Sequence, residues 1–176
     1  MSEKNSFKKG SRIKKEKPEF EQQVVDIARV TRVMAGGKRM RFRACVVVGD
    51  KKGRVGFGLA KGQDVSVSVQ KAVKKAEKSA IRVNILNGTI PHEVRIKDGS
   101  ARILLKPAPV GTGIISGGSV RTVLELAGIE NIVSKILGTG NKINNVRAAV
   151  KALSLLKKVS RSEKTEPAVQ PTEVKN

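Results

Sequence analysis

The ten residues 39–48 read RMRFRACVVV. Arg39, Arg41 and Arg43 alternate with Met40, Phe42 and Ala44, a period of two that belongs to a β-strand whose faces meet different surroundings. A helix would put Arg41 on the side opposite Arg39 and Arg43, whereas a strand stacks all three on one side, about 6.6 Å apart. The neighbouring segments extend the pattern. The β-branched run VVDIARVTRV precedes it, the Gly pair of AGGK intervenes, and the turn GDKKG leads into RVGFGLA, so residues 24–60 predict a three-stranded antiparallel meander.

One face of the middle strand is thus apolar and the other is a comb of guanidinium groups, spaced to meet successive phosphates. Residues 29–43 hold six basic side chains and no acid. Arg29, Arg32 and Lys38 flank the Gly36-Gly37 turn, where the lack of a Cβ lets backbone N–H groups approach phosphate, although a tight hairpin turn accounts for the two glycines equally well. The whole chain has 36 Lys+Arg against 15 Asp+Glu, a formal charge of +21 that repels itself unless a polyanion neutralises it. Nucleic acid is the leading partner and an anionic membrane surface the minor competitor. With 4 Phe, no Trp and no Tyr, base-stacking platforms are nearly absent, so contacts should go to phosphate and sugar. Further candidates are Lys51, Lys52 and Arg54 around the next turn.

Asp64 is placed to cap a helix running to about Arg82, with Val69, Ala72, Val73, Ala76 and Ala80 on one face. Its opposite face carries Lys71, Lys74, Lys75, Lys78 and Arg82, a weaker nucleic-acid candidate because solvated helix faces are often Lys-rich. A second unit follows in the order β-β-α-β-α. ARILLKPAPV is a strand, a helix runs from Ser119 or Thr122 to Ala127 with Gly128 as its stop, NIVSKILG is a strand, and a last helix spans Asn144 to about Leu156. Val120, Val123, Leu124 and Ala127, then Val146, Ala149, Val150 and Leu153, face the sheet. The β-β-α-β-α order belongs to an α+β or α/β layer fold, here in two small domains, divided as a basic flexible arm (1–23), a first domain (24–90), a second (91–156) and a disordered tail (157–176).

Catalytic chemistry finds little to work with. One His and one Cys give no metal-ligand spacing, the acids are scattered singly, and a Cys45–His92 dyad would need two distant segments to meet. GRVGFG reverses the spacing of a dinucleotide fingerprint and sits in a hairpin. The glycine-rich stretch GTGIISGGSVRTVLELAGI leads into a helix start, which favours anions, but lacks the Lys-Ser/Thr pair of a phosphate loop and a nearby carboxylate for magnesium. It reads better as a loop packed on another macromolecule. No cofactor and no metal are expected. No apolar run approaches the roughly 20 residues that span a bilayer, and no signal or transit segment is visible, so the expectation is a cytoplasmic protein.

GGKRMRF, VVVGDKKGRVGFG, GTIPH, LLKPAPVGTGIISGGSVRTVLELAGI and LGTGNKINNVRAAVKAL, in this order over about Val24 to Leu156, resemble the bacterial small-subunit ribosomal protein number five family. The resemblance implies an N-terminal β-β-β-α unit similar to double-stranded-RNA-binding domains and a C-terminal unit with a left-handed β-α-β crossover, related in fold to small-molecule kinases. It implies a non-catalytic structural role: contacts to 16S rRNA, to small-subunit proteins number four and number eight and to mRNA near the entry channel, and effects on assembly and translational accuracy. The family's hairpin loop, associated with rRNA and spectinomycin response, falls on Thr31 to Lys38. Its interface to protein number four falls on Gly111, Thr112, Gly113 and Arg121. Departures are Ala35 for a usual Lys, Met40 for a usual Phe, and Ser66 and Lys142 for prolines. Two other readings remain open: a small nucleotide-dependent enzyme using the 111–118 loop, and a free double-stranded-RNA-binding regulator.

Overall fold

The structure, a computed structural model, describes residues 20–157. Its first sheet has the order β1-β2-β3-β4, all antiparallel: β1 Glu21–Met34, β2 Gly37–Gly49, β3 Arg54–Gly62 and β4 Ile81–Arg82. Met34 pairs with Gly37, so Ala35 and Gly36 form a two-residue hairpin turn, with Gly36 at φ +81°. That left-handed conformation is what such a turn asks of a glycine. The strand begins at Glu21, so residues 21–23, assigned to the arm on composition, are part of the sheet.

Helix α1, Val65–Lys78, covers one face of this sheet. The strand-like VSVSV at its start is helical. Ser68, fully buried, donates its hydroxyl to the Val65 carbonyl at 2.7 Å and so satisfies itself within the turn. The helix is shorter than the apolar periodicity suggests: Ser79 ends it, and Ile81–Arg82 pairs with Arg54 and Val55 as β4. Asp64 occupies the N-cap position, but its side chain makes no capping bond. The glycines of RVGFG explain how closely α1 lies. A Cβ at Gly58 would stand 2.0 Å from the Ala72 carbonyl oxygen, and one at Gly56 2.3 Å from that of Ala76. The nucleotide-like glycine spacing is a groove for a helix.

The second sheet has the order β5-β6-β8-β7: β5 Val94–Asp98, β6 Ala101–Pro107, β7 Ile114–Ile115 and β8 Ile132–Ile136. Helix α2, Gly118–Ala127, links β7 to its parallel neighbour β8, and α3, Lys142–Ser154, follows. Asn141 caps α3 by accepting the Ile143 amide at 3.1 Å, so the helix starts at Lys142, two residues before the expected start at Asn144. The short β7 has no alternating pattern to announce it.

The sequence gives α2 and α3 one apolar face each, but the structure uses two. Arg121 and Glu125 are the exposed side chains within α2's central turns, and Arg147, Lys151 and Ser154 form a narrow exposed stripe on α3. The rest packs in a single core that takes in Cys45, Val47 and Val55 from the first sheet and Ile96, Ile103, Leu105 and Ile132 from the second. Helices apolar on nearly all sides belong between layers. The order is therefore α1, first sheet, α2 with α3, second sheet. A smaller core of Ala44, Val46, Val48, Ala72 and Ala76 joins α1 to the first sheet.

Candidate nucleic-acid interface

Strand register decides which basic side chains share a surface. Across β1 and β2, Arg32 faces Arg39, Val30 faces Arg41 and Ala28 faces Arg43; across β2 and β3, Arg43 faces Lys61. Directly paired residues lie on one side of a sheet. Arg32, Arg39, Arg41, Arg43 and Lys61 thus form one comb, on the side where Cys45 and Val47 further along enter the main core. Arg29, paired with Phe42, Thr31, paired with Met40, and Lys38, paired with Val33, lie on the other side. The basic window 29–43 is split between two faces, and Lys61, which the sequence reading passes over, completes the comb.

The hairpin tip is open. A Cβ at Gly36 or Gly37 would meet nothing within 4 Å, and every residue from Thr31 to Arg41 is exposed. Two hollows flank the comb. One of about 190 Å³ is lined by Val30, Thr31, Arg32, Met34, Arg39, Arg41 and Lys61, and the next, about 320 Å³, by Arg41, Lys61, Gly62, Gln63, Val67 and Lys71. Arg41 and Lys61 border both, so basic surface continues from the hairpin to Lys71 of α1. Lys74 and Lys75 are exposed farther along the helix. Arg43 is half-buried, and its Nε is enclosed with no acceptor among the described residues.

Lys51, Lys52 and Arg54 belong elsewhere. They sit at the opposite end of β2, roughly 40 Å from the tip at 3.4 Å per residue. Lys51 pairs with Glu21 at 2.7 Å, and Arg54 lies 3.9 Å from Asp50. The turn itself closes α2: Lys51 N–H donates to the Leu126 carbonyl and Gly53 N–H to that of Ala127, each at 3.0 Å. These acceptors are carbonyls a helix end leaves without partners. The turn is first a joint between the two sheets' units.

The glycine-rich loop proves to be occupied from within. Asn131, 5% exposed, accepts the backbone N–H groups of Gly111 and Gly113 on its Oδ1 at 3.0 and 3.1 Å. Two amides that could have cradled a phosphate are turned inward. Gly117, the N-cap of α2, is held against Ile136, 2.8 Å from where a Cβ would stand. Arg121 is exposed in the first turns of α2.

Cys45 and His92 have separate structural lives. The thiol is buried, and burial first, then the Asp26 carboxylate, pushes it up to about 11 against a smaller opposing effect of Arg43. At neutral pH it is a protonated, inert side chain. His92 accepts the Lys157 amide on Nε2 at 3.2 Å, and its Nδ1 lies 3.0 Å from the Glu93 carbonyl, so both ring nitrogens serve the backbone. Among the described residues no group of three or more His, Cys, Asp or Glu could hold a metal, and no helix is long and apolar enough to cross a membrane. What the arrangement can do is hold a row of anions.

Residues 20–84 match the family model "Ribosomal protein S5, N-terminal domain", and residues 96–166 match "Ribosomal protein S5, C-terminal domain". The small ribosomal subunit protein uS5 of Campylobacter jejuni strain 81-176 is 51% identical over 139 residues, 79% of this chain and 95% of the relative. The chain belongs to the ribosomal protein S5 family. The uS5 of C. jejuni strain 81116 matches to the same extent. The family makes this a small-subunit ribosomal protein, a component of the cytoplasmic ribosome whose partner is rRNA, and its relatives are named as ribosomal proteins, not enzymes. The α+β class in two sheet-containing regions agrees with the pair of family domains.

Proposed function

We propose that the chain grips 16S rRNA chiefly through the comb of Arg32, Arg39, Arg41, Arg43 and Lys61, with Arg29, Thr31, Gly36, Gly37 and Lys38 presenting the back and tip of the same hairpin. The observation that carries this is the comb itself: cations on a projecting, otherwise uncovered stretch of sheet, about 6.6 Å apart along β2, with no acid among them. The contacts are to phosphate and sugar, since the chain has almost no aromatic side chains to stack on bases. Lys71, Lys74 and Lys75 extend the grip along α1, and Lys51, Lys52 and Arg54 make at most a separate contact. The family resemblance adds to this a part in subunit assembly, a place near the mRNA entry channel and an influence on accuracy. Gly111, Thr112, Gly113 and Arg121 form the surface toward protein number four, and protein number eight is the other protein neighbour. Asn131's hold on Gly111 and Gly113 favours this packing role over nucleotide binding.

The test is RNA affinity as a function of salt. Replacing Arg39→Gln and Arg41→Gln together should weaken binding across RNA sequences and lower the slope of log affinity against log salt by about 1.5, since each lost phosphate contact removes roughly 0.7–0.9. An unchanged slope would remove the comb from the interface.

A further inference from the structure

We infer that the outer face of the second sheet is a second RNA-backbone platform, so that the protein joins two RNA segments rather than gripping one. The inference rests on the ribosomal RNA reading above but concerns a different surface. Val94, Ile96, Ala101, Ile103 and Leu105 point inward to α2 and α3 and are buried, which turns the alternate residues of β5 and β6 outward. Those residues are Arg95, Lys97, Arg102 and Lys106, and β8 adds Lys135; all five are exposed.

Register arranges them in rows. Lys97 pairs with Arg102, and Arg95 pairs with Leu104, which in turn pairs with Lys135. Lys97 and Arg102 therefore lie about 5 Å apart across strands, Arg95 and Lys97 about 6.6 Å apart along β5, and Lys135 two strands, about 10 Å, from Arg95, a two-dimensional array that suits the repeated charge of a polynucleotide backbone. Glu93 is the single acid in these rows, and Lys106 holds it at 3.4 Å. Arg95, Lys97, Arg102 and Lys135 make no ion pair with any described carboxylate. Half-buried Leu104 and exposed Leu137 form an apolar floor beneath the cations, and Arg95, Lys97, Arg102 and Leu137 border a hollow of about 330 Å³. No described element covers this face. In the layer order it is the end opposite α1, on the far side of α2 and α3 from the first sheet, so one RNA helix cannot lie flat on both it and the comb.

The experiment uses the full chain and in vitro transcribed small-subunit rRNA. Changing Arg95, Lys97, Arg102 and Lys135 together to Gln should reduce the salt slope of binding by about 3. All four side chains are exposed, so the thermal transition should stay where it was. In parallel, Lys97→Cys and Thr31→Cys each carry a tethered iron chelate that cleaves nearby RNA; the native thiol of Cys45 is buried and need not be removed. The two tethers should cut at separate sets of rRNA positions. An unchanged slope in the quadruple variant, no cutting from position 97, or the same positions cut from both tethers would overturn the inference. So would a photocrosslink from position 97 to a ribosomal protein instead of RNA in small subunits that carry the Lys97→Cys chain. If the comb variant leaves affinity intact while the quadruple variant does not, the hairpin reading fails and this one stands.

Discussion

Replacing Gly128 with alanine strikes the place where the two units meet backbone to backbone. Gly128 ends α2 at φ +85°, and a Cβ there would stand 2.2 Å from the Lys51 carbonyl oxygen and 2.6 Å from its carbon. The left-handed conformation costs a non-glycine residue about 1–2 kcal/mol. The clash falls about 1 Å short of ordinary contact, and backbone cannot swing aside as a side chain does. The turn must back away and strain or break the Lys51–Leu126 and Gly53–Ala127 hydrogen bonds, each worth about 0.5–1.5 kcal/mol. The sum is about 2–5 kcal/mol, a large part of the 5–15 kcal/mol typical of a folded protein. Two further variants separate the causes. Gly99→Ala has a φ of +58° with nothing within 4 Å of the new methyl, so it should show the conformational cost alone. Gly49→Ala carries no positive φ but places its Cβ 2.1 Å from the Leu126 oxygen, so it should show the steric cost alone. Urea denaturation gives the midpoint and slope for each. If Gly128→Ala proves no more destabilising than Gly99→Ala, and Gly49→Ala is neutral, the close joint between the units is not as described.

Three other outcomes follow from the site. Asn131→Ala should cost about 2–4 kcal/mol in thermal or chemical unfolding by leaving the Gly111 and Gly113 amides without their acceptor, whereas Asn131→Asp, which keeps an acceptor oxygen, should cost less at low pH. The Cys45 thiol should resist maleimide in the native state at pH 8. Because its folded value of about 11 lies above the ordinary 9.0, the unfolded chain loses this proton first as pH rises, so stability should fall between pH 9 and 11 and Cys45→Ala should flatten that decline. Calorimetry with ATP and magnesium should give no saturable heat, and micromolar binding would show that the 111–118 loop opens in a way its bonds to Asn131 do not suggest.

What the sequence made legible was whatever a period could carry. RMRFRACVVV announced β2 and its comb because each residue's face is set by its parity. The boundaries of α2 were near because Gly128 is a helix stop of known geometry. Lys38 could have been set apart by its parity in β2, whereas the sorting of the β1 residues, Arg32 onto the comb and Arg29 onto the other face, was hidden because it depends on the hairpin register that pairs Met34 with Gly37. The burial of α2 and α3 between two sheets was also hidden. Small residues such as Ala148 and Ala152 on the second face look neutral until another sheet is laid on them. Asn131 gave no signal, since a polar residue beside a glycine loop reads as surface. The basic face of the second sheet could have been found: VRIKD and ARILLK repeat, in weaker form, the alternation of apolar and basic residues that revealed β2.

The central claim, that the hairpin comb holds the chain in the small subunit through RNA backbone contacts, is tested most directly by retention. Tagged chain with Arg32, Arg39 and Arg41 all changed to Gln is expressed beside the tagged unaltered chain, and small subunits are sedimented through rising salt. The account predicts that the unaltered chain stays with the subunits through washes that leave other core proteins in place, while the triple variant leaves at markedly lower salt with its fold intact by circular dichroism. Equal retention of the two at every salt concentration would contradict it.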